Sequence, residues 1–123
     1  MTVLQALEQV DELVHNTYSQ EQKVQWLSQL DAMVKEQVLD THEGGEAEIF
    51  TGYDADTPMD TQLLIPSPYE EAYLHFLEAK ICYYNGEQSK YNQALQQHRA
   101  VLTAFVNHYN ATHMAKGQRV RYF

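Results

Sequence analysis

Apolar residues recur along most of this chain at three- and four-residue steps, the spacing of helices that bury one stripe. Val3, Leu4, Leu7, Val10, Leu13 and Val14 form the first stripe, with Glu8, Asp11 and Glu12 falling away from it, and predict a helix over about residues 2–15. Asn16-Thr17-Tyr18 interrupts the pattern as a short turn. Ser19, followed three residues later by Gln22, reads as a capping box and opens a second helix over about 19–40. Val24, Leu27, Leu30, Val34 and Val38 make its buried stripe, flanked by Trp26 and Met33. Two helices joined by so short a turn should lie antiparallel.

The helical period disappears between residues 41 and 67. Gly44-Gly45, Thr51-Gly52 and Thr57-Pro58 are turn signals there, and acids cluster between Glu43 and Asp60. Ile49-Phe50 and Leu63-Leu64-Ile65 are apolar patches that fit either short strands or plugs tying the segment to a core. Regularity resumes at Ser67-Pro68-Tyr69-Glu70, which places Ser at an N-cap, Pro at the first helical position and Glu at the third. A third helix over about 68–85 should stop at Asn85-Gly86, where glycine takes the left-handed cap. Tyr91, Leu95, His98, Leu102, Phe105 and Tyr109 then alternate four- and three-residue steps and predict a fourth helix over about 88–113 with a heptad-like seam. The expectation is an all-α domain spanning residues 1–123, two helical hairpins around one core, with an irregular loop at 41–67 and a basic tail at 115–123.

Length and composition agree with that expectation. A chain of 123 residues holds one core, and its 44% hydrophobic and 20% charged residues exclude global disorder. Cys82 is the single cysteine, so no internal disulfide can form. The N-terminal residues lack the basic start and unbroken apolar run of a signal peptide, and no stretch reaches the ~18 apolar residues of a membrane span. The compartment expected is the cytosol. A net charge of −9 argues against general nucleic-acid binding, which needs cations on phosphates. That charge is unevenly placed. Residues 1–66 carry 13 acids and 2 bases, while residues 67–123 carry 4 acids and 6 bases, a polarity that suits head-to-tail contact between copies.

Catalytic constellations are weak. Glu71, His75 and Glu78 share one helix face, but the order reverses the Glu-x-x-His of carboxylate-bridged bundle metal sites and no Glu-x-x-His occurs elsewhere to complete one. His108 and His113, five apart, do not face one another on a helix. Cys82 lies within a helix beside Ile81 and Tyr83, without the electropositive setting of a nucleophile. No glycine-rich phosphate loop is present. The reading is therefore not an enzyme, with no cofactor or metal expected. The aromatics carry more: six of nine tyrosines (69, 73, 83, 84, 91 and 109) fall in the C-terminal hairpin, and tyrosine on several helix faces suits either deep packing or partner contact.

Several segments together resemble a family of small tailed-phage and prophage proteins of Gram-positive bacteria. They are Asp60–Tyr69 (DTQLLIPSPY), Tyr83-Tyr84-Asn85-Gly86-Glu87, Lys90-Tyr91-Asn92 and Tyr109–Gly117 (YNATHMAKG), with Val38–Glu43 (VLDTHE) and Phe50-Thr51-Gly52-Tyr53 upstream. Order and spacing follow the family over nearly the whole chain. One departure is Ala111, where the family often has Arg. The resemblance implies a virion structural protein without enzymatic activity, a head-tail connector or neck adaptor. Such helical subunits form rings beneath the portal, around acidic lumens through which DNA slides. It implies a homo-oligomer, possession of portal and neck proteins as neighbours, and a location in the bacterial host cytoplasm and then the virion. The contact residues expected are Phe50, Tyr53, Leu63, Leu64 and Ile65 in the middle segment and Arg119, Arg121, Tyr122 and Phe123 in the tail. The rival expectation is a monomeric acidic regulator or inhibitor that binds a single host protein.

Overall fold

Four helices and the segments between them make up the structure, a computed structural model that describes residues 1–44 and 50–114. They are α1 (Val3–Leu13), α2 (Gln20–Gln37), α3 (Glu71–Asn85) and α4 (Gln88–Thr112), with a 3-10 turn at Leu39–Thr41 after α2. The described residues contain no strand. The domain is all-helical, as the apolar periodicity predicts.

Each helix starts and stops for a local reason. Thr2 caps α1 in a reciprocal box with Gln5, the Thr2 hydroxyl accepting from the Gln5 N–H at 3.2 Å and the Gln5 side chain accepting from the Thr2 N–H at 2.9 Å. Ser19 caps α2 by accepting from the Gln22 N–H at 3.0 Å. Gly86 ends α3 in the left-handed conformation, φ 77°, where a side chain would be strained, and its N–H closes on the Tyr83 carbonyl.

The start of α3 corrects the sequence reading. Ser67 does not cap it and Pro68 is not its first residue; the Ser67–Pro68 peptide is cis, and regular helix begins at Glu71. Between them the Tyr69 N–H bonds to the Pro66 carbonyl and the Ala72 N–H to the Tyr69 carbonyl, so successive turns carry the backbone into the helix. Glu70, expected to complete the cap, pairs instead with the Met1 amino group at 2.8 Å. On α1 the buried arc is also narrower than the stripe: Val3, Ala6, Leu7 and Val10 are buried, whereas Leu4 is 39% and Leu13 71% exposed.

One cluster of buried apolar side chains draws on all four helices and the middle segment. Leu27, Leu30 and Val34 of α2, Tyr73, Leu77 and Ile81 of α3, and Phe105 of α4 lie at its centre. α3 packs most extensively on α4, forming the expected C-terminal hairpin, and also meets α1 and α2. Leu63 and Ile65 enter the cluster from the middle segment, which settles the choice between strand and plug in favour of the plug. An isolated antiparallel bridge, Thr2 to Gln62, aligns that segment with the start of α1, where the Val3 N–H bonds to the Thr61 carbonyl at 3.0 Å.

Candidate functional site: a buried polar clamp and an exposed aromatic groove

Asp31 lies on the buried face of α2, between Leu27 and Val34, with no exposed surface. A carboxylate there is costly unless its lone pairs are filled. They are filled from three directions. The Tyr73 hydroxyl of α3 donates to Oδ1 at 2.6 Å, the Tyr53 hydroxyl donates to Oδ2 at 2.5 Å, and the Leu64 N–H donates to Oδ2 at 3.1 Å. Tyr73 in turn accepts from the Ile65 N–H at 2.7 Å, and the Tyr53 N–H donates to the Ser28 hydroxyl at 3.0 Å. One carboxylate therefore ties the irregular segment to both α2 and α3. Burial raises the Asp31 carboxyl above its ordinary range, against the lowering effect of the Tyr53, Tyr73 and Leu64 donors. Burial and the adjacent carboxylate push both tyrosine hydroxyls far up, so they stay protonated as donors.

A second clamp joins the end of α2 to the end of α4. His42 is buried, with Nδ1 2.7 Å from the Val38 carbonyl and Nε2 2.7 Å from Asn110 Oδ1. Its ring meets the Tyr109 ring edge-on at 4.8 Å, Tyr109 stacks on His113 at 3.8 Å, and the Glu43 N–H bonds to the Met114 carbonyl at 2.8 Å. His98 fills a third polar position inside the C-terminal hairpin, its Nδ1 2.8 Å from the Ala72 carbonyl and its ring 5.2 Å from Phe76. Burial lowers its proton affinity, and His75 and Arg99 lower it further, against the opposing effect of the Ala72 carbonyl.

That shift predicts a pH dependence with a definite sign. The unfolded chain binds a proton at His98 near the ordinary imidazole value of 6.5, and the folded chain only at lower pH. The His98 contribution is therefore complete above the unfolded value and is lost as pH falls through the folded one. Urea midpoints should decline below pH 6.5, and His98→Gln should decline less steeply over the same range. Equal slopes for the two proteins would exclude His98 as the origin.

The contact residues expected from sequence separate into three groups. Phe50, Tyr53 and Leu64 are half-buried on one side of the molecule, with Phe50 and Tyr53 packed edge-to-face at 5.1 Å. Together with Gly52, Thr57 and Pro58 they line a shallow hollow of 270 Å³. Leu63 and Ile65 are corrected: at 6% and 0% exposure they belong to the chain's own core, because the middle segment turns every second side chain inward there. Arg119, Arg121, Tyr122 and Phe123 lie outside the described residues.

The sequence left open whether the hairpin tyrosines pack inward or meet partners, and Tyr83 and Tyr84 were not among the expected contact residues; among the described residues they form an open aromatic surface. Tyr83 and Tyr84, each 57% exposed, stand at the tip of the C-terminal hairpin. Tyr83 packs against Tyr84 and Tyr91, and Tyr84 stacks on the buried Trp26, which meets Tyr18 edge-on. Beside them Phe76, Ala79, Lys80, Tyr91 and Leu95 complete a groove of 420 Å³ along the α3–α4 seam. The available signal was the adjacent pair Tyr83-Tyr84, whose two rings cannot both face inward from one helix. Glu71, His75 and Glu78 line a separate hollow of 130 Å³ closed by Val10, Leu13 and Val14, and among the described residues no three His, Cys, Asp or Glu side chains are grouped to hold a metal ion. Burial raises the Cys82 thiol, as does nearby Glu87, which keeps it protonated and weakly nucleophilic. No helix among the described residues is long and apolar enough to cross a membrane.

Comparison with known proteins finds no matching family model, no curated protein of similar sequence and no solved structure that matches.

Proposed function

We propose that this chain is a non-enzymatic virion structural protein of a tailed phage or prophage, a head-tail connector or neck adaptor subunit that assembles with itself and with neighbouring portal and neck proteins. The observation that carries the reading is how the molecule spends its polar groups. Lys23, Asp31, His42 and His98, the buried polar and charged side chains among the described residues, are each engaged by partners within the chain, while large aromatic side chains stand open at the hairpin tip. Such a molecule is fitted to present rigid surfaces.

The segments that carry the family resemblance support the same reading. Val38–Glu43 and Tyr109–Met114 lie far apart in sequence and meet through the His42 clamp. Phe50–Tyr53 and Leu63–Ile65 converge around Asp31. These stretches build architecture. Exposed Asp54, Asp56 and Asp60 on the middle segment would suit an acidic lumen that DNA slides through without being held. On this reading the protein resides in the bacterial host cytoplasm and then in the virion neck.

The test is light scattering behind a sizing column, across concentration, for the full chain and for a chain ending at Lys116. A concentration-dependent oligomer that the truncation weakens is expected, with Arg119, Arg121, Tyr122 and Phe123 contributing contacts. A strict monomer that instead captures one host protein, with affinity falling steeply in salt, would favour the acidic-regulator alternative.

A further inference from the structure

Charge in this protein is divided along the chain. Glu87 is the last acid in the sequence; residues 88–123 hold five bases and no acid, and residues 1–87 hold all 17 acids with three bases. Among the described residues α4 carries the bases Lys90 and Arg99 and no acid, and α3 packs against both α1 and α4. The Glu71, His75 and Glu78 side of α3 meets the end of α1, and its Phe76, Ala79 and Tyr83 side meets Tyr91 and Leu95 of α4.

On the α1–α2 side the cations are consumed locally. Lys23 is buried against Asp11 at 2.5 Å, and Lys35 pairs with Asp40 at 2.5 Å. Exposed Glu8, Glu12, Glu21 and Glu36 make no ion pair among the described residues, so that side is negative. Leu4, Glu8 and Glu12 follow one another at four-residue steps in an exposed row, and Leu4 adds an apolar contact at 39% exposure.

The α4 side carries no acid; of its two bases, Lys90 pairs with Glu87 at 3.9 Å. Its exposed positions include Gln97, Ala100, Thr103, Ala104 and Asn107, small or uncharged residues that allow close approach, and Arg99, which forms no ion pair among the described residues. The aromatic groove borders this face along the α3–α4 seam.

We propose that the outer face of α4, with the bordering aromatic groove, receives the acidic α1–α2 side of a second copy, so that copies associate head to tail. The inference rests on the self-assembly part of the proposed function and adds its geometry. Two-fold pairing would set Arg99 against Arg99, or Glu8 and Glu12 against their own counterparts, and like charges in register cost free energy. Only the unlike pairing matches signs. A helix of 25 residues runs about 37 Å, and with the flanking edge of α3 it spans enough surface for a contact of about 800 Å² per partner. Contacts of this heterologous kind propagate, closing into a ring when the rotation permits.

Sedimentation velocity at low salt tests the proposal with three proteins: Arg99→Glu, the double variant Glu8→Lys with Glu12→Lys, and a chain carrying all three changes. All three positions are exposed, and circular dichroism verifies that the helices persist. Each reversed face should weaken self-association by about tenfold or more. An equimolar mixture of the two reversed proteins should regain extended, alternating assembly, because the unchanged acidic side of the first meets the unchanged α4 face of the second and the two reversed faces are also opposite in sign. The chain carrying all three changes should regain extended assembly. Association that persists unchanged in both reversed variants would overturn the head-to-tail geometry while leaving self-assembly intact. A mixture that does not co-assemble, while the wild type associates, would overturn it as well. A wild type that stays monomeric throughout would overturn both the geometry and the self-assembly reading beneath it.

Discussion

Replacing Asp31 with alanine should lower the stability of the domain by roughly 3 kcal/mol, the sum of two buried donors left without acceptors and a small cavity. The two are the Tyr73 hydroxyl and the Leu64 N–H; the Tyr53 hydroxyl, half-buried, can turn to water. An opposing effect must be weighed. Burial raises the Asp31 carboxyl, so the folded chain holds its proton more tightly than the unfolded chain does. The stabilisation associated with that proton is present below the unfolded value and lost as pH rises through the folded one. At neutral pH the ionised group thus carries a desolvation cost that alanine relieves. The orphaned donors should still win, because three hydrogen bonds to one carboxylate hold the middle segment against two helices. Asp31→Asn should lose less, about 1–2 kcal/mol, since one oxygen still accepts while the amide cannot accept from Leu64 and Tyr73 together. Urea midpoints measure both, and limited proteolysis between residues 50 and 62 reports the segment directly. An alanine variant as stable as the wild type, with cleavage no faster, would mean that the plug side chains Leu63 and Ile65 hold the segment without Asp31.

Phe105→Ala should be more damaging, at roughly 3–5 kcal/mol, the range for deleting a large buried ring. Phe105 is 1% exposed and packs against Tyr69 and Tyr109, each with ring centroids 5.9 Å away. It joins the distal half of α4 to the turn before α3, where the His42 clamp also closes. The loss should therefore concentrate there, with fast amide exchange from about Val101 to Thr112 and slower exchange retained in α2. Tyr84→Ala, on the exposed rim, should cost far less stability because its ring already faces water over more than half its area. Comparable losses for the two substitutions would show that the hairpin tip, stacked on Trp26, is as much a part of the core as Phe105.

What the sequence by itself determined is the helical class, the number of helices and most of their limits. Period and punctuation are local properties: Val24 through Val34 repeat on one face wherever the helix is placed, Ser19 caps its own helix, and Gly86 satisfies a backbone conformation within its own turn. The C-terminal hairpin follows from the same facts, since the two-residue link Gly86-Glu87 between two amphipathic helices leaves them little choice but to fold back. Only the tertiary structure decided the rest. A cap signal as strong as Ser67-Pro68-Tyr69-Glu70 gave way where Glu70 has a partner at Met1 and the backbone just upstream, at Leu64 and Ile65, is held by Asp31 of α2 and Tyr73 of α3. Leu63 and Ile65 could be told from Leu64 only once the segment had a side that faced inward. Asp31 reads in sequence as one more acid on a helix, and its position among Leu27, Leu30 and Val34 was the single hint that it would be buried. Its three donors come from residues 22, 33 and 42 positions away, and a carboxylate's role is set by the groups that reach it. The uneven charge was likewise present as a run of numbers along the chain. Which acids of α1 and α2 stand exposed and unpaired, and that Arg99 does too, was decided only by the packed structure.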